Sequence, residues 1–279
     1  MDTLPVGWLL LISVAAGFVG AMSGMGGGVI LIPALTLAGM DIKHAIAASI
    51  VSVIATSSGA AAAYVRDRLT NLKVGMFLEM FTMLGAIVGA SITVLVSPRP
   101  LFIIFGVVLL VVWGAMYLQR NVDWEPAAHV DRFSRWLELK GCYFDQAAGH
   151  DIHYEGTRAY LGGPMMFGAG FIAGLLGIGA GALKVLVLDL GMHLPPKVST
   201  TTSNLIIGVT ALAGTSVYLA AGLIDPGLAA PIILGVSVGA FIGTVVLVRL
   251  SNMAVRRFFL VVLLALGAEM VIRGVWGNL

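Results

Sequence analysis

The residues best suited to chemistry are two runs of glycine set in otherwise apolar sequence. Gly24, Gly26, Gly27 and Gly28 punctuate the stretch from Gly17 to Leu35, and Gly177, Gly179 and Gly181 punctuate Gly170 to Leu188. A helix that restarts after such a run, near Val29 or Ala182, exposes its first backbone N–H groups and the positive end of its dipole. Those groups hold an anion without any charged side chain. Small residues also serve close helix packing. Consecutive glycines, however, cost a helix about 1 kcal/mol each relative to alanine, more than packing calls for. Gly26, Gly27, Gly28, Gly179 and Gly181 are therefore the candidate backbone ligands.

Hydroxyls and an amide form a second group. Ser199-Thr200-Thr201-Thr202-Ser203-Asn204 follows Pro195-Pro196-Lys197, and its weaker counterpart is Ala48-Ser49 with Ser52, Thr56, Ser57 and Ser58. The first of these can cap a helix, and the deeper ones can bond back to their own backbone. Ser49, Thr202, Ser203 and Asn204 are also placed to donate to a ligand. Asn204 is favoured, because an amide inside a membrane needs a partner. Glu79, Lys184, Asp189 and Glu269 are ionisable residues in apolar surroundings, costly in lipid and functional by default. Lys184 lies just past the second knot, where it would neutralise an anion. Its alternatives are a salt bridge to Glu79 or Glu269, or a side chain that reaches for the interface. Glu269 and Arg273 are one helical turn apart and can pair with each other.

These residues need a membrane to make sense. The 279-residue chain is 59% hydrophobic and 11% charged, against about a half and a quarter in a soluble domain. Apolar windows of about 20 residues, enough to span a bilayer core as helices, cover Ala45–Val65, Val74–Val96, Leu101–Leu118, Ser199–Ala221, Leu228–Val248 and Val255–Ile272. Residues 5–40 would make a helix about 50 Å long, too long for that core, so the segment must break at Gly24–Gly28. Residues 119–163 are polar and charged, too few for a core of their own. Val130–Leu139 there reads as a short amphipathic helix with Phe133, Trp136 and Leu137 on its apolar side.

The chain is a duplication. At an offset of 154, Ser49 matches Ser203, Thr56 matches Thr210, Tyr64 matches Tyr218, and Gly85 and Gly89 match Gly239 and Gly243. The last two pairs sit in uninterrupted spans and read as packing residues. The expected divisions are a first membrane repeat at 1–118, an inter-repeat segment at 119–163 and a second repeat at 164–279. Arg66, Arg68 and Lys73 crowd one loop of the first repeat, whereas Arg249, Arg256 and Arg257 crowd the following loop of the second. Lys and Arg gather in cytoplasmic loops, so the two repeats are expected to be inverted. Each would comprise a broken helical hairpin plus three transmembrane helices. Both termini then lie outside and 119–163 in the cytoplasm. Inverted repeats with interrupted helices mark secondary transporters.

Other classes lack their signatures. Gly177-Ile178-Gly179-Ala180-Gly181-Ala182 fits the loose form of a dinucleotide fingerprint, but neither the preceding strand nor the following acidic residue is there. No phosphate-binding loop of the ATPase type, metalloprotease motif or nucleophile elbow occurs. The net charge of +2 gives no nucleic-acid signal, the only cysteine is Cys142, and neither a metal, a cofactor nor an enzymatic activity is expected. Asp2, with no Lys or Arg nearby, argues against a signal peptide.

The paired glycine knot, Pro33 after the first copy, Ala48-Ser49 and Thr202-Ser203, and the duplicated four-segment unit together resemble the sulfite exporter TauE/SafE family, also called toluene sulfonate uptake permeases. The resemblance covers all but 119–161. It implies a multi-pass protein of a bacterial inner membrane that carries sulfite, sulfoacetate or related organosulfonates without an ATPase, by alternating access and in the export direction. A coupled proton or other ion would fit that scheme. A passive anion channel, or a carrier of another small organic anion, would use the same residues. The positions that match the pattern are Gly26, Gly27, Gly28, Pro33 and Ser49, then Gly179, Gly181, Thr202 and Ser203. The second copy departs from it where Leu186 answers Pro33, Ala180 interrupts the glycines and Lys184 replaces an apolar residue.

Overall fold

A computed structural model describes residues 6–23, 27–66, 68–118, 129–145, 150–247 and 252–276. The first broken segment is α1 (Val6–Ser23) followed by α2 (Gly28–Leu37). Then come α3 (Ile42–Arg66), α4 (Leu72–Leu95) and α5 (Pro98–Leu118). The second is α7 (Ala159–Leu176) followed by α8 (Gly181–Leu186) and a π-helical turn, Val187–Gly191. After it run α9 (Pro196–Ala220), α10 (Pro226–Leu247) and α11 (Asn252–Trp276). Among the described residues, α3, α4, α5, α7, α9 and α10 are long and apolar enough to cross a membrane. The protein is thus an all-α polytopic membrane protein, and the helices follow the apolar windows closely. Each break falls at a glycine knot. Gly177 and Gly179 take φ of +65° and +72°, and Ala180 follows at +48°, backbone that glycine adopts without a Cβ penalty.

The segment between the repeats holds more than the expected amphipathic helix. That helix, α6, spans only Arg132–Trp136. Asp131 starts it by accepting from the Ser134 N–H at 3.0 Å, and Glu138, at φ +50°, turns the chain away. An antiparallel hairpin follows, β1 (Lys140–Asp145) with β2 (His150–Glu155), in a register that pairs Cys142 with His153. Tyr143, Ile152 and Tyr154 turn inward on one face of it. α7 begins at Ala159, so its first turn precedes Pro164.

Packing follows the duplication in a crossed fashion. α1 packs on α10, and α7 packs on α4. A Cβ at Gly85 would collide with the Phe167 carbonyl and one at Gly89 with that of Phe171; at Gly239 and Gly243 the obstacles are the carbonyls of Val14 and Phe18. These contacts match residue for residue between the halves. Such glycines let helix backbones touch, as their positions in unbroken spans predict. The equivalent helices α3 and α9 run antiparallel: Ile50 lies against Gly214 and Ser57 against Gly208, while Thr201 Oγ1 donates to the Leu69 carbonyl at 2.9 Å. α5 and α11 do likewise, with Ile103 against Gly274 and Leu110 against Gly267.

Candidate functional site

The two knots meet. A Cβ on Gly28, the first residue of α2, would stand 2.5 Å from Ser49 Oγ and 2.8 Å from the Gly177 carbonyl oxygen. Ser49, fully buried on α3, donates to that carbonyl at 3.0 Å. A helix that ends inside a protein leaves its last carbonyls without intrahelical partners. At the end of α7 the neighbours supply donors: Tyr218 Oη bonds the Gly174 carbonyl at 2.6 Å and Thr93 Oγ1 bonds that of Leu175 at 2.6 Å. Ser49 completes this set, so a break deep in the bundle is electrostatically tolerable. Each helix restarts on a glycine, Gly28 for α2 and Gly181 for α8, but Gly27 precedes the first and Ala180 the second.

Among the described residues, a small space borders the knots. A cavity of about 10 Å³ lies among Val29, Leu109, Val112, Ala180 and Gly181, room for about one water. Gly181 is buried at the start of α8. Among the described residues, Gly28 of the first knot lies directly against Gly177 of the second. A larger space, about 420 Å³, lies between α3 and α9 and is lined by Ile54, Ser57, Ser58, Gly208 and Leu212. That volume is in the range of small-molecule sites.

Lys184 is completely buried. Its Nζ donates to Thr210 Oγ1 at 3.0 Å, and Thr210 Oγ1 in turn donates to the Ile206 carbonyl at 2.5 Å. Thr210 lies near the middle of the 25-residue α9, so the ammonium sits deep in the bundle. Neither foreseen salt bridge forms. Glu269 lies 2.6 Å from Arg273 Nε, as their spacing predicts, and Lys184 bonds Thr210 rather than Glu79.

The hydroxyl cluster divides. Ser203 Oγ and Asn204 Nδ2 both donate to the Thr200 carbonyl, at 2.9 and 3.1 Å, so the Asn204 amide finds its partner on its own helix. Thr202 Oγ1 accepts from the Asn71 N–H at 3.1 Å. Asn71 in turn caps α4 through Val74 at 3.1 Å and donates to Tyr154 Oη at 3.1 Å. Of the residues singled out in the sequence, Gly28 and Ser49 thus meet the second knot. Gly27, Gly179 and Gly181 lie within the knots, and Lys184 lies one turn beyond. Thr202, Ser203 and Asn204 lie at the start of α9. Gly24 and Gly26 fall outside the described residues. Thr93, Thr210 and Tyr218 escaped a site assignment, although the repeat register had already matched Thr210 with Thr56 and Tyr218 with Tyr64.

Comparison with known proteins bears on this arrangement. The family model for the sulfite exporter TauE/SafE matches residues 9–270. The chain is 25% identical over 278 residues to the probable membrane transporter protein YunE of Bacillus subtilis (strain 168), covering 96% of this chain and 98% of that protein. It is also 25% identical over 236 residues to the probable membrane transporter protein YdhB of the same organism, covering 84% and 86%. No solved structure matches.

Proposed function

Because the chain belongs to the sulfite exporter TauE/SafE family of membrane transporters, we propose that it is a secondary carrier of sulfite, sulfoacetate or related organosulfonates. It works by alternating access, in the export direction, in a bacterial inner membrane. The observation that carries this reading is the meeting of Gly28, Ser49 and Gly177, which puts the two interrupted segments face to face. Carriers built from inverted repeats bind their substrates where discontinuous helices meet.

The antiparallel contacts of α3 with α9 and of α5 with α11 support the inverted arrangement. Equivalent helices related by an axis along the membrane normal would run parallel. With the basic loops on the cytoplasmic side, both termini lie outside and residues 119–163 sit in the cytoplasm between repeats 1–118 and 164–279. Gly26, Gly27 and Gly28 with Gly179 and Gly181 would present N–H groups to the sulfonate oxygens. Ser49, Thr202, Ser203 and Asn204 would exchange their present bonds for bonds to substrate, and Lys184 would supply the charge.

Counterflow in proteoliposomes tests the reading. Vesicles loaded with unlabelled sulfite, sulfoacetate or isethionate should take up the labelled anion transiently above equilibrium, with saturation. Flux that is linear in concentration and lacks counterflow would mark a channel, and no flux of any sulfur anion would refute the substrate class.

A further inference from the structure

α6 carries an aromatic face that the protein leaves open. Phe133 and Trp136, three residues apart, stack with ring centroids 6.0 Å apart, and Trp136 is 75% exposed. Ser134, on the opposite side of the turn, is buried and accepts from the Ala159 N–H at 2.9 Å, which turns the two rings outward. Phe133 meets Phe77 of α4 at 6.2 Å, and Phe77 meets Phe81 at 5.5 Å. Beside these rings, exposed Met76, Met80 and Leu84 run along α4. α4 is long and apolar enough to cross the membrane, so this surface faces lipid and the rings of α6 prolong it. Tyr160 is exposed at the same end, at the start of α7, which runs beside α4 in the same direction, Phe167 against Gly85 and Phe171 against Gly89.

The rim of that face is basic. Arg132 and Arg135 are exposed, and among the described residues neither pairs with a carboxylate. The neighbouring acids are already engaged. Glu138 pairs with Lys73 at 2.6 Å, and Asp131 accepts from the N–H groups of Ser134 and Arg158 at 3.0 and 2.6 Å. The charge left over on α6 is therefore positive.

We propose that α6 anchors the inter-repeat segment to the bilayer and binds the headgroups of anionic phospholipids there. Phe133 and Trp136 sit at the boundary of headgroups and acyl chains, where amphipathic aromatic rings collect, and the guanidinium groups of Arg132 and Arg135 take the phosphates. Two observations favour lipid over a protein partner: the face is continuous with the lipid-facing side of α4, and its charge is opposite to that of the headgroups. A free helix of five residues would not hold itself on a membrane. α6 is already fixed to α7 through Ser134 and to α4 through Phe77, so binding lipid orders little that folding has not ordered. The anchor is independent of whether the chain acts as a carrier or a channel.

The test places the full chain in vesicles of equal parts phosphatidylglycerol and phosphatidylcholine, with bromine on the acyl chains of one lipid or of the other. The lipid composition is then constant, and only the quencher moves. The tryptophan emission lost in Trp136→Phe, a conservative change at an exposed position, isolates this ring. Bromine near the headgroup end of the chain should quench it more than bromine near the methyl end. Brominated phosphatidylglycerol should quench it as though enriched about fivefold or more over phosphatidylcholine, from about 1 kcal/mol for each basic residue at the surface. Arg132→Gln combined with Arg135→Gln should abolish the enrichment and keep the quenching. Equal quenching by the two lipids in the wild type would overturn the headgroup preference, and enrichment that survives in the double variant would overturn the role of the arginines. Emission that neither lipid quenches would overturn the anchor itself; a particle of twice the mass would then point to a second copy of the chain on this face.

Discussion

The first and second glycine knots are copies that have kept their geometry and lost their chemical likeness. After the first, α2 runs for 10 residues with buried Leu31 facing the core. After the second, α8 lasts 6 residues, carries buried Lys184 in the same place and widens into a π-helical turn. The packing glycines agree to the residue: Gly85 and Gly239, Gly89 and Gly243 meet equivalent carbonyls. The frame is held by contacts that both halves need, so it stays symmetric. Charge in a membrane interior is costly, and of this matched pair only the second position, Lys184, carries one.

The largest effect should come from the shared frame. Gly85→Val and Gly239→Val each push a side chain into a facing carbonyl, and each should destabilise the detergent-solubilised protein by about 3 kcal/mol or more. Thermal melts followed by size exclusion would show it, and a large gap between the two variants would break the symmetry. Lys184→Leu restores the first half's residue. It should lower anion affinity at least tenfold, about 1.4 kcal/mol, while leaving thermal stability unchanged or raised, because an apolar side chain replaces a buried charge. Unchanged affinity in a binding titration would remove Lys184 from the site.

The segment between the halves offers a smaller effect. Burial of Asp131 works against its charge, but hydrogen bonds from Ser134, Arg158 and Thr157 outweigh it and hold the carboxyl below its ordinary value. A depressed carboxyl stabilises the fold above the unfolded-state pKa, about 3.9, and loses that contribution as pH falls through the folded-state pKa. Hydrogen exchange in 132–139 should therefore quicken under strong acid. Asp131→Ala should quicken it already at neutral pH, by about 1 to 2 kcal/mol of local stability. The matched serines differ least. Ser49→Ala removes a bond between elements and should cost about 1 kcal/mol, whereas Ser203→Ala removes a bond within one helix and should cost less; equal losses in melts would contradict the hydrogen-bond pattern.

The helices were legible because hydrophobic run length survives without coordinates. So was the packing role of Gly85 and Gly239, since glycines inside unbroken spans have little else to do. The hairpin at 140–155 was not anticipated, although Tyr143 and then Ile152 and Tyr154 alternate inward; the window is short and its charges dominate the reading. Side-chain direction was the harder loss. Asn204 and Ser203 turn onto Thr200, and Lys184 turns onto Thr210, choices set by which neighbour happens to stand within reach. The donors to the end of α7 were hidden for the same reason: Ser49, Thr93 and Tyr218 come from three different helices.

The crossed packing has a mechanical consequence. α1 is clasped by α10 and α7 by α4, and Asn71, at the head of α4, ties Thr202 of α9 to Tyr154 of the hairpin. Pulling the first half of the gene away from the second would tear all of these seams at once. The packed units of the bundle are therefore hybrids, each holding helices from both halves of the chain. Its tightest seams join residues 1–118 to residues 164–279 rather than separating them.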